Sequence, residues 1–119
     1  SLDGMDEISI SAPSRIAVLN RGKIRYKTWK PSQFGFRKAG KKRLVGGTPR
    51  KNRDLAIQIL TGKLRGPMRD VIILNSAAGL YVAGVAKNLK QGILRSNQSI
   101  DSGRAYAALR GLRKISGRK

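Results

Sequence analysis

Apolar and polar positions alternate along residues 7–11, where Ile8 and Ile10 sit between Glu7, Ser9 and Ser11, and this period of two predicts a short strand. Residues 15–19 predict a second strand and residues 23–29 a third. Asn20-Arg21-Gly22 reads as the hairpin turn between the last two, since Asn and Gly tolerate positive φ. Side chains alternate across a strand, so Lys23, Arg25 and Lys27 share one face and Ile24, Tyr26 and Thr28 the other. Residues 31–36 form a loop whose Phe34 and Phe36 either stack bases or plug the loop into its own core.

From position 48 the spacing becomes helical. Thr48 before Pro49 reads as an N-cap and first helical residue, with the helix running to residue 60 and closed by Thr61-Gly62. Gly66-Pro67 marks the next start, and residues 70–86 are apolar around most of the circumference, which predicts a buried helix. Small residues such as Ala77, Gly79 and Gly84 would let a neighbouring helix approach closely. Asn88 caps a third helix over 89–100, with Leu89, Ile93 and Ile100 on one face. Asp101-Ser102-Gly103 punctuates it, and residues 104–115 predict a fourth, with Leu109 and Leu112 on one face and Arg110, Arg113 and Lys114 largely on another. The fold class expected is therefore α/β, a small antiparallel β meander followed by about four helices.

Charge changes this picture. The 119 residues carry 26 Lys+Arg against 6 Asp+Glu, a formal net charge of +20, where ordinary soluble domains keep about 2–8. Residues 20–65 hold fifteen of the basic side chains against the single acid Asp54. Such a surface attracts polyanions, nucleic acid first and an anionic membrane surface second. The chain lacks a basic amphipathic helix with bulky aromatic anchors, so membrane association is set aside. With no Cys and no His, a disulfide scaffold, a Cys/His zinc site, histidine acid–base catalysis and a cysteine nucleophile are all excluded. Residues 71–86 are free of charge but too short, and with Asn75 and Ser76 too polar, to span a bilayer. The chain opens on Ser1 without a signal-peptide pattern, which suits a processed or partial chain.

Several segments resemble one enzyme family. Leu2-Asp3-Gly4-Met5-Asp6-Glu7-Ile8-Ser9 resembles an Asp-Gly-Leu/Met-Asp-Glu-Ile/Leu-Ser segment of anthranilate phosphoribosyltransferase. Gly46-Gly47, Asn52, the run from Gly66-Pro67-Met68-Arg69-Asp70 through Leu74-Asn75-Ser76-Ala77, Leu89-Lys90-Gln91-Gly92 and Ile100-Asp101-Ser102-Gly103 continue the likeness in order. The resemblance is to the C-terminal third of such an enzyme, within the glycosyltransferase family 3 fold, combined here with a strongly basic surface. It implies part of a phosphoribosyltransferase α/β domain, and a reaction moving a phosphoribosyl group from phosphoribosyl pyrophosphate to anthranilate with magnesium. It also implies that Asp6 and Glu7 stand where that family places acidic metal ligands, now vestigial if catalysis is lost. The family's glycine-rich diphosphate loop is not in this sequence, and Arg50, Lys51 and Arg53 stand where its members carry acids. On this reading residues 1–119 make a single partial α/β domain, with the β meander at 1–30, a basic loop at 31–47, the helical part at 48–116 and a basic tail at 117–119.

Charge and resemblance together point to a non-catalytic RNA-binding protein built on the enzyme fold. The concrete expectation is a ribosomal component, organellar and mitochondrial, contacting rRNA and neighbouring ribosomal proteins, with no catalytic residue and no cofactor. Its phosphate-binding candidates are Arg21, Lys23, Arg25, Lys27, Lys30, Arg37, Lys38, Lys41, Lys42 and Arg43, then Arg50, Lys51, Arg53, Arg113, Lys114, Arg118 and Lys119. The alternative is a C-terminal piece of the transferase itself, serving tryptophan biosynthesis with magnesium and active only with a separate N-terminal part.

Overall fold

A computed structural model describes residues 1–117. It contains strands β1 (Ser14–Asn20) and β2 (Lys23–Trp29), two short 3-10 turns at Pro31–Phe34 and Lys41–Arg43, and helices α1 (Pro49–Leu60), α2 (Pro67–Val82), α3 (Leu89–Asp101) and α4 (Arg104–Ile115). The class is α/β as expected, a two-stranded antiparallel sheet followed by four helices.

The hairpin pairs Ser14 with Trp29 and Asn20 with Lys23. Its two-residue loop places Arg21 at φ 48° and Gly22 at φ 74°, the mirror-image turn that matches strand twist. Asn20 stays in the strand, so Arg21 and not Asn20 carries the left-handed conformation. The first expected strand, residues 7–11, does not form. Ser9 and Ser11 instead bend toward Asp3 and Ser14, and these local side-chain bonds take backbone and hydroxyl groups away from a ladder.

The helix starts follow the capping residues. Thr48 Oγ1 accepts from the Lys51 amide at 3.3 Å, and Asn88 Oδ1 accepts from the Gln91 amide at 2.9 Å. The second helix begins at Pro67 and ends at Val82, earlier at both ends than its apolar run suggests. Pro67 suits the first helical position, and Gly84 at φ 72° turns the chain away beyond the end. Only one side of α2 is buried, through Arg69, Ile73, Leu74 and Ala77, while Val82 is 84% exposed. An all-round apolar helix is buried only where partners surround it, and here α3 covers one side.

Ile10, Ala39, Leu74, Ala77 and Leu89 form one buried cluster, and Ile59, Ile73 and Ile100 a second. Phe36 and Ile93 pack against both. Phe34 meets Trp29 edge-on, with ring centroids 5.8 Å apart. Both phenylalanines thus plug their loop into the core and offer no platform for stacking bases. Helices α2 and α3 cross closely at Gly92, where a Cβ would stand 2.6 Å from the Ala77 carbonyl oxygen. Gly79 and Gly84 face open space and play no part in that approach. Leu109 is half-buried on α4, whereas Leu112 is exposed.

Candidate metal centre

The segment ahead of β1 has no regular secondary structure, so side-chain hydrogen bonds determine its shape. Asp3 is the first organiser. Its carboxylate accepts from the Ser11 hydroxyl, from Ser9 Oγ at 3.2 Å and from the Met5 amide at 3.3 Å. These bonds, the Ser11 hydroxyl foremost, hold its carboxyl well below the ordinary value of 3.8 against the opposing cost of desolvation. The Lys41 ammonium caps the Asp3 backbone carbonyl.

Asn75, in the middle of α2, is the second organiser. Its Oδ1 accepts from the Ile8 amide at 3.1 Å, and its Nδ2 donates to the Ile8 carbonyl at 2.8 Å. Asp6 and Glu7 lie between these two anchors. Both are exposed, and they share a shallow cleft with Ser14, Arg15 and Asn75. Among the described residues neither enters a salt bridge. Among the described residues, too, no group of three or more His, Cys, Asp and Glu is placed to hold a metal ion by itself. Two adjacent, uncommitted carboxylates suit magnesium, a hard cation that takes one or two carboxylates and completes its shell with water and substrate oxygens. The donor set therefore fits the metal that the resemblance implies.

The helical part carries an internal ion pair. Arg69 on α2 is 2% exposed, and its Nη2 donates to Asp101 Oδ1 at 2.8 Å and to Asn97 Oδ1 at 2.9 Å, both on α3. Next to it, burial raises the Asp70 carboxyl above its ordinary value, with the Arg69 charge opposing. The Gly46-Gly47 loop is clasped by Asn52, whose Oδ1 accepts from the Gly47 amide at 2.7 Å and whose Nδ2 donates to the Gly47 carbonyl at 3.1 Å.

The cations expected to bind phosphate are exposed but spread over several elements. Arg21 sits in the hairpin turn, Lys23, Arg25 and Lys27 on β2, and Lys30 just before the first 3-10 turn. Arg37 and Lys38 lie between the two turns, and Lys41, Lys42 and Arg43 form the second. Arg50, Lys51 and Arg53 begin α1, and Arg53 pairs with Asp54 at 2.6 Å. Arg113 and Lys114 end α4, while Arg118 and Lys119, with the rest of the expected basic tail beyond 117, lie outside the described residues. The residues that organise the Asp6–Glu7 segment were not among the candidates. Asn75 was legible only as a polar interruption of an apolar helix, and Asp3 only as an acid in the family-like opening.

Comparison with known proteins bears on both functional readings. Residues 1–106 match the model of the glycosyl transferase family, a/b domain. The chain is 45% identical over 105 residues to the anthranilate phosphoribosyltransferase of Clostridium kluyveri, covering 88% of this chain and 31% of that enzyme. It is likewise 45% identical over 114 residues to that of Pelotomaculum thermopropionicum, covering 96% of this chain and 33% of the relative. Among solved structures, the Thermus thermophilus enzyme superposes with a TM-score of 0.82 at 31% identity, over 91% of this chain and 32% of its own. The Saccharomyces cerevisiae enzyme in complex with PRPP and Mg gives 0.78 at 26% identity, over 90% and 31%. The chain spans about a third of the length of the curated relatives it matches.

The curated relatives are biosynthetic enzymes of bacteria and an archaeon, and they overturn the expectation of an RNA-binding ribosomal protein, its rRNA and ribosomal-protein partners and its mitochondrial location. The expected absence of a cofactor gains no support either, since a structural relative holds Mg. The physical reason for the error is that net charge reports affinity for polyanions in general and names no partner. Among the described residues no helix is long and apolar enough to cross a membrane. From its family match, its colinear relatives and its superposition on solved enzymes, the chain belongs to the glycosyl transferase family, a/b domain.

Proposed function

We propose that this chain forms the magnesium-facing part of an anthranilate phosphoribosyltransferase, an enzyme of tryptophan biosynthesis that transfers phosphoribosyl from phosphoribosyl pyrophosphate to anthranilate. One observation carries the reading: the family match over residues 1–106 includes the exposed Asp6–Glu7 pair, which among the described residues has no ion-pair partner. Asp6 and Glu7 would hold the metal through hard carboxylate oxygens. When bound, magnesium would neutralise charge on the substrate's diphosphate oxygens. Arg15 lines the same cleft and adds a fixed positive charge for an anionic substrate.

Residues 1–119 act in this reading as a single partial α/β domain, with the parts at 1–30, 31–47, 48–116 and 117–119 serving one site. The relatives are about three times as long, so in this reading activity requires the remaining two thirds of the fold, where the resemblance implies the glycine-rich diphosphate loop. A tryptophan-auxotrophic bacterium lacking its own anthranilate phosphoribosyltransferase tests this. Co-expressing the chain with the segment of the Pelotomaculum enzyme it does not cover restores growth without tryptophan. The Asp6→Asn, Glu7→Gln double variant abolishes that rescue. Rescue untouched by the double variant, or no rescue where the complete Pelotomaculum enzyme succeeds, overturns the proposal.

A further inference from the structure

We infer that Asn75 is a positioning residue for the Asp6–Glu7 pair, fixing the segment whose two carboxylates would hold a divalent cation; this rests on the metal reading above. The pair lies in a segment with neither helix nor ladder, so no backbone pattern orients it. Asn75 supplies the missing constraint from 67 positions away. Its Oδ1 accepts from the Ile8 amide at 3.1 Å, and its Nδ2 donates to the Ile8 carbonyl at 2.8 Å and to the Val71 carbonyl at 2.9 Å. Both amide hydrogens are used. A reversed side-chain amide would set NH₂ against N–H and C=O against C=O, so its orientation is determined.

The residue immediately after Glu7 is thereby fixed, through both its donor and its acceptor, to α2. That helix is itself anchored by buried Ile73, Leu74 and Ala77. Ahead of the pair, Asp3 accepts from the Met5 amide and also ties that end to Ser9 and Ser11 beyond Ile8. Asp6 and Glu7 therefore sit on a short bridge between two fixed points, and Asn75 provides the one that belongs to a regular element. Asn75 also lines the cleft that the two acids face. Groups that orient metal ligands without touching the metal are worth about 10–100-fold in affinity.

Mn²⁺ titration of the full chain, followed by the paramagnetic resonance signal of the free ion, reads this directly. The wild-type chain binds, Asp6→Asn abolishes binding, and Asn75→Ala weakens it about 10–100-fold. Hydrogen exchange supplies a readout independent of metal. The Ile8 amide is protected in the wild-type chain and exchanges faster in Asn75→Ala, while the Ile73 and Leu74 amides of α2 keep their wild-type protection, which shows that the alanine variant still folds. Equal Mn²⁺ affinity of wild-type and Asn75→Ala chains, or an Ile8 amide indifferent to Asn75→Ala, overturns the inference while leaving the metal reading in place. A wild-type chain that takes up no Mn²⁺ overturns both.

Discussion

Single side chains govern how this chain answers pH and truncation. Asp3 has its folded-state pKa depressed by the Ser11, Ser9 and Met5 hydrogen bonds, so its stabilising contribution is present above the ordinary value of 3.8 and is lost as pH falls below it. Asp70 has the opposite sign. Its raised pKa means that burying the ionised form costs stability, and the cost appears as pH rises from 3.8 upward. Urea unfolding between pH 2 and 6 should show Asp3→Asn flattening the acid loss of stability and Asp70→Asn steepening it. Removing the carboxylate partner of buried Arg69 strands its charge. Asp101→Ala leaves the guanidinium with Asn97 alone and should lower stability by about 2 kcal/mol in thermal melts. Half of Asp101 is solvent-exposed, which keeps the loss below that of a fully buried pair. None of these pairings was legible in sequence, because Arg69 and Asp101 lie 32 positions apart and charge counts do not reveal contacts.

At the scale of elements, local rules served well wherever a short signal was complete. Thr48-Pro49 and Asn88 lie where capping chemistry puts them, and the hairpin turns within the expected Asn20-Arg21-Gly22, although Arg21 takes the left-handed conformation that turn chemistry gave to Asn20. The strand expected at 7–11 failed because alternation alone does not supply a neighbour for the ladder, and Asp3 offered the serines a better partner. The crossing of α2 and α3 gives a paired test. Gly92→Ala drives a Cβ to 2.6 Å from the Ala77 carbonyl oxygen and 2.9 Å from its Cα, so it should cost about 1–3 kcal/mol despite alanine's helix preference. Gly79→Ala, on α2 with nothing within 4 Å, should gain about 0.5–1 kcal/mol. Thermal unfolding of both variants checks the contrast. A gain in both would mean that the helices separate freely.

For the whole molecule, charge and exposed apolar surface pull in different directions. At +20 the chain repels itself, and its denaturation midpoint should rise as salt is added from low ionic strength. The outer face of the hairpin carries Leu19, Ile24 and Tyr26, exposed at 70%, 60% and 78%. Two strands alone are marginally stable, and apolar residues on both faces belong in a sheet covered on both sides. In the proposed function the rest of the fold covers that face. Ile24→Lys should then change the chain's own unfolding free energy by no more than about 0.5 kcal/mol, while reducing the rescue of tryptophan growth by co-expression. The sequence by itself determined the class, the hairpin and helices, the missing Cys and His chemistry and the family likeness, because these depend on periodicity, composition and colinear motifs. Only the tertiary structure decided which side of α2 is buried, that Phe34 and Phe36 serve the core, and that Asn75 and Asp3 bracket Asp6 and Glu7. Those outcomes depend on which distant groups meet, and hydrogen bonds and close packing act over a few ångströms of space whatever the separation along the chain.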